Sequence, residues 1–293
     1  STVVHYYNNF NDDIIQPSLS NNERYNIEFV SANPTGPLHI GHGRGGVIGD
    51  VFTRVLGAKG IAAESEFYIN DAGNQIEKLG NSLFIRYKAL CGEITEFPED
   101  GYHGEYINEM AQDLFRKHEK ELLIEKTIAW FSDYAKEILL KNIQTTLKNY
   151  DIVYDTWFSE KTLHNSRAID EAVGILNEKG YIYFSDDKTM WFKSTEFGDE
   201  KDRVVKKGNG EWTYVAADIA YLKNKLDRGF TKIVMVLGQD HHSYKVRLEG
   251  IIQALGESKN ILHIILYQLV TIKEDGARVI REVTNSCNYS CSY

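Results

Sequence analysis

Tyr25, Ile27 and Phe29 alternate with Asn26, Glu28 and Val30, a period-two pattern that predicts a strand with one well-buried face. The polar stretch from Gln16 to Arg24 reads as a linker, and residues 1–24 are expected to be a linker or the remnant of a preceding domain. After the loop Ser31 to Pro37 the period changes. Val47, Val51 and Val55, with Phe52 and Leu56, recur at i+4 and predict a helical stripe that stops by Gly57 or Gly60. Glu64 to Ile69 then reads as a second strand. Strand, Gly-rich turn, helix and strand make a βαβ unit, whose crossover is right-handed and whose sheet is parallel.

From Gly73 to Leu147 the pattern is helical, interrupted by the Gly92 to Gly104 loop with Pro98 and resuming from Tyr106. Tyr181 to Phe184 and Thr189 to Phe192 flank Ser185-Asp186-Asp187-Lys188, a hairpin signature; Val204 to Lys206 and Trp212 to Tyr214 flank a second turn at Gly208-Asn209-Gly210. Ile219 to Leu226 reads as helix, Ile233 to Leu237 as a buried strand, Tyr244 to Leu255 as helix and Ile261 to Thr271 as a further apolar run. The expected class is α/β: a parallel-sheet core in two halves, 25–72 and 213–276, separated by a helical and β insertion at 73–212. Residues 277–293 form an atypical tail.

Composition narrows the function. The 293 residues carry 33 Lys plus Arg against 42 Asp plus Glu, a net charge of −9, which argues against a whole-surface nucleic-acid binder. Any nucleic-acid contact must be local. No apolar run reaches the ~18 residues of a membrane span, and the polar opening is no signal peptide, so a cytoplasmic protein without membrane attachment is expected. The 3 cysteines fit neither a disulfide framework nor a four-thiolate zinc site. Basic residues cluster at Lys201, Arg203, Lys206 and Lys207 and again at Lys223, Lys225 and Arg228. Solvated faces are the expectation for both, with the first cluster the place to look for a docked tRNA acceptor stem.

The densest chemistry lies in Ser31-Ala32-Asn33-Pro34-Thr35-Gly36-Pro37-Leu38-His39-Ile40-Gly41-His42-Gly43-Arg44-Gly45-Gly46. Glycines near a helix start cost up to ~1 kcal/mol each relative to alanine, which makes sense where a ligand approaches the backbone. Helix N-terminal amides favour anions, and the imidazoles of His39 and His42 can donate to phosphate oxygens. Gly41-x-Gly43-x-x-Gly46 also matches the dinucleotide fingerprint, with Glu64 and Glu66 near the expected ribose acid, so an NAD-dependent dehydrogenase is the rival reading. The run Asn33 to Pro37 between strand and glycines weakens it. A P-loop is excluded because no Gly-Lys-Ser/Thr triplet occurs, and the adjacent His241 and His242 cannot easily point at one metal ion.

The run Glu28 to Gly45, with His39-Ile40-Gly41-His42 inside it, resembles class I aminoacyl-tRNA synthetases, and the arginyl-tRNA synthetase family in particular. Phe67 to Ile76, Trp157-Phe158-Ser159-Glu160, Tyr214 to Tyr221 and Leu237-Gly238-Gln239-Asp240-His241-His242 resemble that family in the same order. The resemblance implies a Rossmann-like class I core, ATP with Mg²⁺ as substrate, no resident metal or organic cofactor, and L-arginine and tRNA(Arg) as partners of an enzyme expected to be a monomer. It implies His39 and His42 as the catalytic pair and ATP contacts at Thr35, Gly36, His39, Gly41, His42, Gly43, Asp240 and His241. Arginine would be held by Glu28, Ser31, Asn33, His42, Glu160, Tyr214, Asp218 and Gln239.

A guanidinium presents a planar donor fork that a carboxylate meets bidentately. Tyr214 and Asp218 are four apart at the start of a helical segment and hence on one face, so the phenol can flank the guanidinium while Asp218 pairs with it. Glu160 would add a second acid, although Ser159-Glu160 can equally cap the following helix. The family also carries a lysine-bearing loop after the last core strand and further tRNA-binding domains. At the loop's place stand Asp275-Gly276-Ala277-Arg278-Val279-Ile280-Arg281-Glu282, so a truncated catalytic core is expected, either turning over or only binding ATP and arginine.

Overall fold

The computed structural model describes residues 22–238, 242–268, 271–272 and 278–279. The leader 1–21, the residues Gln239, Asp240 and His241, and most of Asp275 to Tyr293 lie outside the described residues. The elements are β1 Arg24–Phe29, α1 Ile40–Ala58, β2 Ala62–Ile69, α2 Asn74–Leu90, α3 Glu105–His118, α4 Leu122–Glu125, α5 Ile128–Asn149, β3 Thr156–Ser159, α6 Lys161–Asn165 and α7 Ala168–Glu178. They continue with β4 Ile182–Phe184, β5 Met190–Phe192, β6 Arg203–Lys206, α8 Tyr214–Asp227, β7 Lys232–Gly238, α9 His242–Leu255, β8 Leu262–Tyr267, β9 Thr271–Ile272 and β10 Arg278–Val279.

A five-stranded sheet has the order β3-β2-β1-β7-β8. β1 runs parallel to β2, with Asn26 opposite Glu64, and parallel to β7, with Asn26 opposite Ile233; β7 and β8 are parallel as well. The α/β class follows directly from this sheet. A separate antiparallel sheet, β4-β5-β6, holds the expected hairpin with Ile182 opposite Phe192. Trp212 makes only a bridge to Lys206, and Tyr214 opens α8 instead of ending a strand.

The chain divides into two compact units, residues 1–30, 40–66 and 171–293 in one and 31–39 and 67–170 in the other. In the second, α2, α3 and α5 enclose Leu79, Leu83, Tyr87, Leu114, Phe131 and Leu139. Gly80 permits this packing, because a Cβ there would fall 2.0 Å from Ser132 Oγ on α5. Among the described residues no helix is long and apolar enough to cross a membrane.

Two expectations about the first unit are corrected. The glycines of the signature do not form a turn: Gly41, Gly43, Gly45 and Gly46 lie in the first turns of α1. Nor does the valine stripe face the core, since Val47, Val51 and Val55 are each half exposed while Gly41, Gly45, Gly46, Gly49 and Leu56 are buried. Close approach explains the reversal. A Cβ on Gly49 would lie 2.0 Å from the Phe29 ring and one on Gly45 2.8 Å from Tyr267, so the glycine face is the only one that can reach these rings. β1 likewise has both faces buried, because Asn26 and Glu28 find charged partners inside the unit.

Candidate functional site

The segment leaving β1 is turned by two non-glycine residues in the left-handed region, Val30 at φ 64° and Ser31 at φ 40°. Such conformations cost roughly 1–3 kcal/mol each and persist only where neighbours hold them. In the second unit, Ser31 Oγ accepts from the Tyr68 amide at 3.0 Å and Asn33 Nδ2 donates to Gln75 Oε1 at 2.9 Å. The Thr35 amide turns back onto Asn33 O at 2.7 Å, and Tyr106 OH donates to Thr35 O at 2.6 Å. Gly36 packs beside that phenol, where a Cβ would sit 3.5 Å from the oxygen. The expected contacts Ser31, Asn33, Thr35 and Gly36 are thus brought together on one braced strap, which ends in the exposed His39.

Glu160 belongs to the same unit. Its amide donates to Ile69 O at 3.0 Å, and its carboxylate faces His164 Nε2 at 3.3 Å. Burial pushes this carboxyl above the usual range, an effect that hydrogen bonds from His164 and Tyr68 only partly reverse. Glu160 does not cap α6 with its side chain. Asp71 does so instead, accepting from the Lys161 amide at 3.0 Å and from Ser159 Oγ at 2.8 Å. Nothing in local spacing pointed to Asp71, which reaches across ninety positions of sequence.

In the first unit, Gly41, His42 and Gly43 occupy the first turn of α1, where backbone amides have no intrahelical acceptor and favour anions. Gly41 is buried, His42 half-buried and Gly43 exposed, and a Cβ on Gly43 would meet nothing within 4 Å.

On α8 of that unit, Tyr214 and Asp218 face one common neighbour, Arg247 of α9. The Arg247 guanidinium carbon lies 5.0 Å from the Tyr214 ring centroid and 4.5 Å from that of Tyr244, and its Nε stands 3.8 Å from Asp218 Oδ2. Tyr244 OH donates to Asp218 Oδ1 at 2.7 Å. Burial, and then the charge of Asp218, push the Tyr244 phenol well above its ordinary range, so it remains a donor at any working pH. Tyr244 and Arg247 were not singled out in the sequence; their i, i+3 spacing in a predicted helix is the one signal that could have paired them.

Three turns of α8 carry a second cluster. Tyr221 OH donates to Glu28 at 2.8 Å and to Glu66 at 2.6 Å, and the fully buried Lys225 ammonium bridges Glu66 at 2.7 Å and Glu28 at 3.1 Å while also contacting Asn26. Arg228 closes the cluster against Glu64 and Glu66. Glu28 is therefore taken up by protein partners, and so are both acids required by the dinucleotide reading. The second basic cluster is no solvated face either: Lys225 is buried and Lys223 pairs with Asp227. In the first cluster Arg203 binds Asp199 through two nitrogens at 2.7 and 2.6 Å, and Lys207 meets Glu211 at 3.0 Å.

Known proteins match this chain closely. The family model "tRNA synthetases class I (R), catalytic domain" matches residues 8–277. The arginine--tRNA ligase of Desulfosudis oleivorans is 43% identical over 283 residues, covering 91% of this chain and 50% of that protein. The arginine--tRNA ligase of Bacillus subtilis is 42% identical over 267 residues, covering 90% and 48%. A solved Campylobacter jejuni structure, provisionally named an arginyl-tRNA synthetase, is 38% identical with a TM-score of 0.83 and covers 97% of this chain and 62% of its own. The Thermus thermophilus arginyl-tRNA synthetase, 18% identical with a TM-score of 0.64, shares the fold. The chain spans about half the length of the curated relatives it matches. The rival dinucleotide reading falls, since its glycines are helical and its acids are paired; this chain belongs to the class I tRNA synthetases of the arginine type, within their catalytic domain.

Proposed function

We propose that this chain carries the site where L-arginine is activated by ATP for transfer to tRNA(Arg). The observation that carries the reading is the face of α8 on which Tyr214 and Asp218 converge on a guanidinium, at present that of Arg247. A surface that seats one guanidinium by stacking and charge is chemically fitted to another.

In the first step a carboxylate oxygen of arginine attacks the α-phosphorus of ATP, the bond to pyrophosphate breaks, and arginyl-adenylate forms. In the second, a hydroxyl of the terminal tRNA ribose attacks the acyl carbon and AMP departs. Neither step needs an enzyme nucleophile; positioning and charge stabilisation suffice. His39 and His42 donate to the phosphates, the first-turn amides of α1 add their partial positive charge, and the backbone at Gly41 and Gly43 admits adenosine. Mg²⁺ arrives with ATP as part of the substrate. With Nδ2 committed to Gln75, Asn33 offers Oδ1 as an acceptor, the polarity an ammonium requires. Ser31 and Gln239 complete that end, and Glu160 adds a second acid for the guanidinium.

The test is calorimetric titration with arginine, lysine and citrulline in the presence of ATP, followed by arginine-dependent pyrophosphate exchange with and without tRNA. Heat from arginine alone is expected. Equal binding of all three ligands, or none of arginine, would overturn the assignment.

A further inference from the structure

We propose that Arg247 is a specificity-determining residue: its guanidinium occupies the Tyr214 and Asp218 face when arginine is absent and competes with any incoming cation for that carboxylate. The inference rests on the arginine-activation reading above. Four observations carry it, all within one compact unit.

Arg247 reproduces the chemistry expected of the substrate, with a planar cation 5.0 Å from one tyrosine ring and 4.5 Å from another, beside an acid. It holds that place loosely. Its Nε is 3.8 Å from Asp218 Oδ2, beyond hydrogen-bond reach, and is buried without a hydrogen-bond partner among the described residues. Asp218 does not depend on Arg247 for its orientation, since Tyr244 OH fixes Oδ1 at 2.7 Å. Finally, Tyr214 is 59% exposed, so the ring that Arg247 touches remains accessible from solvent.

Selectivity follows from the competition. A buried carboxylate with no counter-charge attracts lysine and arginine alike, because both carry one positive charge. A resident cation at 3.8 Å opposes every newcomer by like-charge repulsion. Only a ligand that regains the loss through two parallel hydrogen bonds and a stacking contact still binds, and a point-charge ammonium cannot make that geometry. Arg247 thus lowers arginine affinity modestly and lysine affinity more.

The experiment compares wild type, Arg247→Met and Arg247→Lys by calorimetry with arginine and lysine, with thermal unfolding recorded for each protein. Arg247→Met should bind arginine more tightly, and its arginine-to-lysine preference should fall by about tenfold, the factor that 1.4 kcal/mol represents. Arg247→Lys keeps the charge and should keep the rejection of lysine. Weaker arginine binding by a folded Arg247→Met, or an Arg247→Lys as relaxed as Arg247→Met, would overturn the proposal. A measurement on wild type needs no variant: in ¹⁵N-labelled protein the Arg247 Nε–H resonance should shift on adding unlabelled arginine and not on adding ATP. An unmoved resonance while calorimetry shows arginine binding removes Arg247 alone. No arginine binding by wild type removes the underlying functional reading with it.

Discussion

Helix α8 presents two clusters of the same composition along one face, and they are built to opposite ends. Tyr214 and Asp218 near its start meet Tyr244 and Arg247; Tyr221 and Lys225 further along meet Glu28 and Glu66. Each joins carboxylate, phenol and cation. In the second, Lys225 has no exposed side-chain surface and its ion pairs close to 2.7 and 3.1 Å. In the first, Arg247 and Asp218 retain 12% and 16% exposure and stand 3.8 Å apart. Closure to hydrogen-bond distance makes a structural bolt, whereas a cation held by stacking and charge alone can be exchanged for a ligand.

The largest effect should come from breaking the closed cluster. Lys225→Met leaves Glu28 and Glu66 buried without their ammonium, and breaking a buried pair in this way costs about 3–5 kcal/mol. Urea unfolding should show a midpoint lowered accordingly. A change below about 1 kcal/mol would mean that the two clusters do not differ in the way described. Asp218→Asn makes the converse test, because the amide keeps an acceptor for Tyr244 while removing the charge. Arginine affinity should fall by about 1.5–3 kcal/mol, the range for a hydrogen bond to a charged group, with unfolding nearly unchanged.

The closed cluster also has an acid signature. Burial pushes the Glu66 carboxyl up, but Lys225, Tyr221 and Arg228 more than offset this and hold it at about 2, against an ordinary 4.5. Since the folded state binds this proton more weakly than the unfolded chain, the stabilisation is complete above pH 4.5 and is lost as pH falls toward about 2. Unfolding free energy measured across that window should decline, and Glu66→Gln should remove this part of the decline.

How much of this was legible beforehand depends on the range of the interaction. The parallel core could be read from β1 and β7 because buried strands declare themselves over a few neighbouring residues. The facing of Tyr214 and Asp218 was readable too, since i+4 spacing on a helix is local. The orientation of α1 was not. Its valines carry the stronger apolar pattern, yet contact with Phe29 and Tyr267 requires residues without a side chain, a demand set by distant parts of the chain. Asp71, Lys225 and Arg247 were missed for the same reason, each acting on a partner far away in sequence or on another helix.

The smallest effect predicted is a pH dependence that separates binding from stability. Glu160, proposed as the second acid for the guanidinium, has its carboxyl raised by burial, with His164 and Tyr68 lowering it only in part. Because its charged form is lost at higher pH than that of an ordinary glutamate, arginine affinity should weaken by a few-fold between about pH 7 and about pH 5. Glu66 remains ionised throughout this interval, so the closed cluster contributes no loss of stability there. Glu160 itself acts on stability with the opposite sign: its folded-state affinity for the proton is raised, so protonation relieves the cost of burying its charge as pH falls. Affinity and unfolding free energy should therefore diverge as the solution is acidified, the first declining while the second holds. Glu160→Gln should abolish the pH dependence of affinity and leave binding weak at both ends of the range. If affinity and stability of the wild type instead fell together, with Glu160→Gln behaving like the parent, Glu160 would belong with the bolts and not with the ligand.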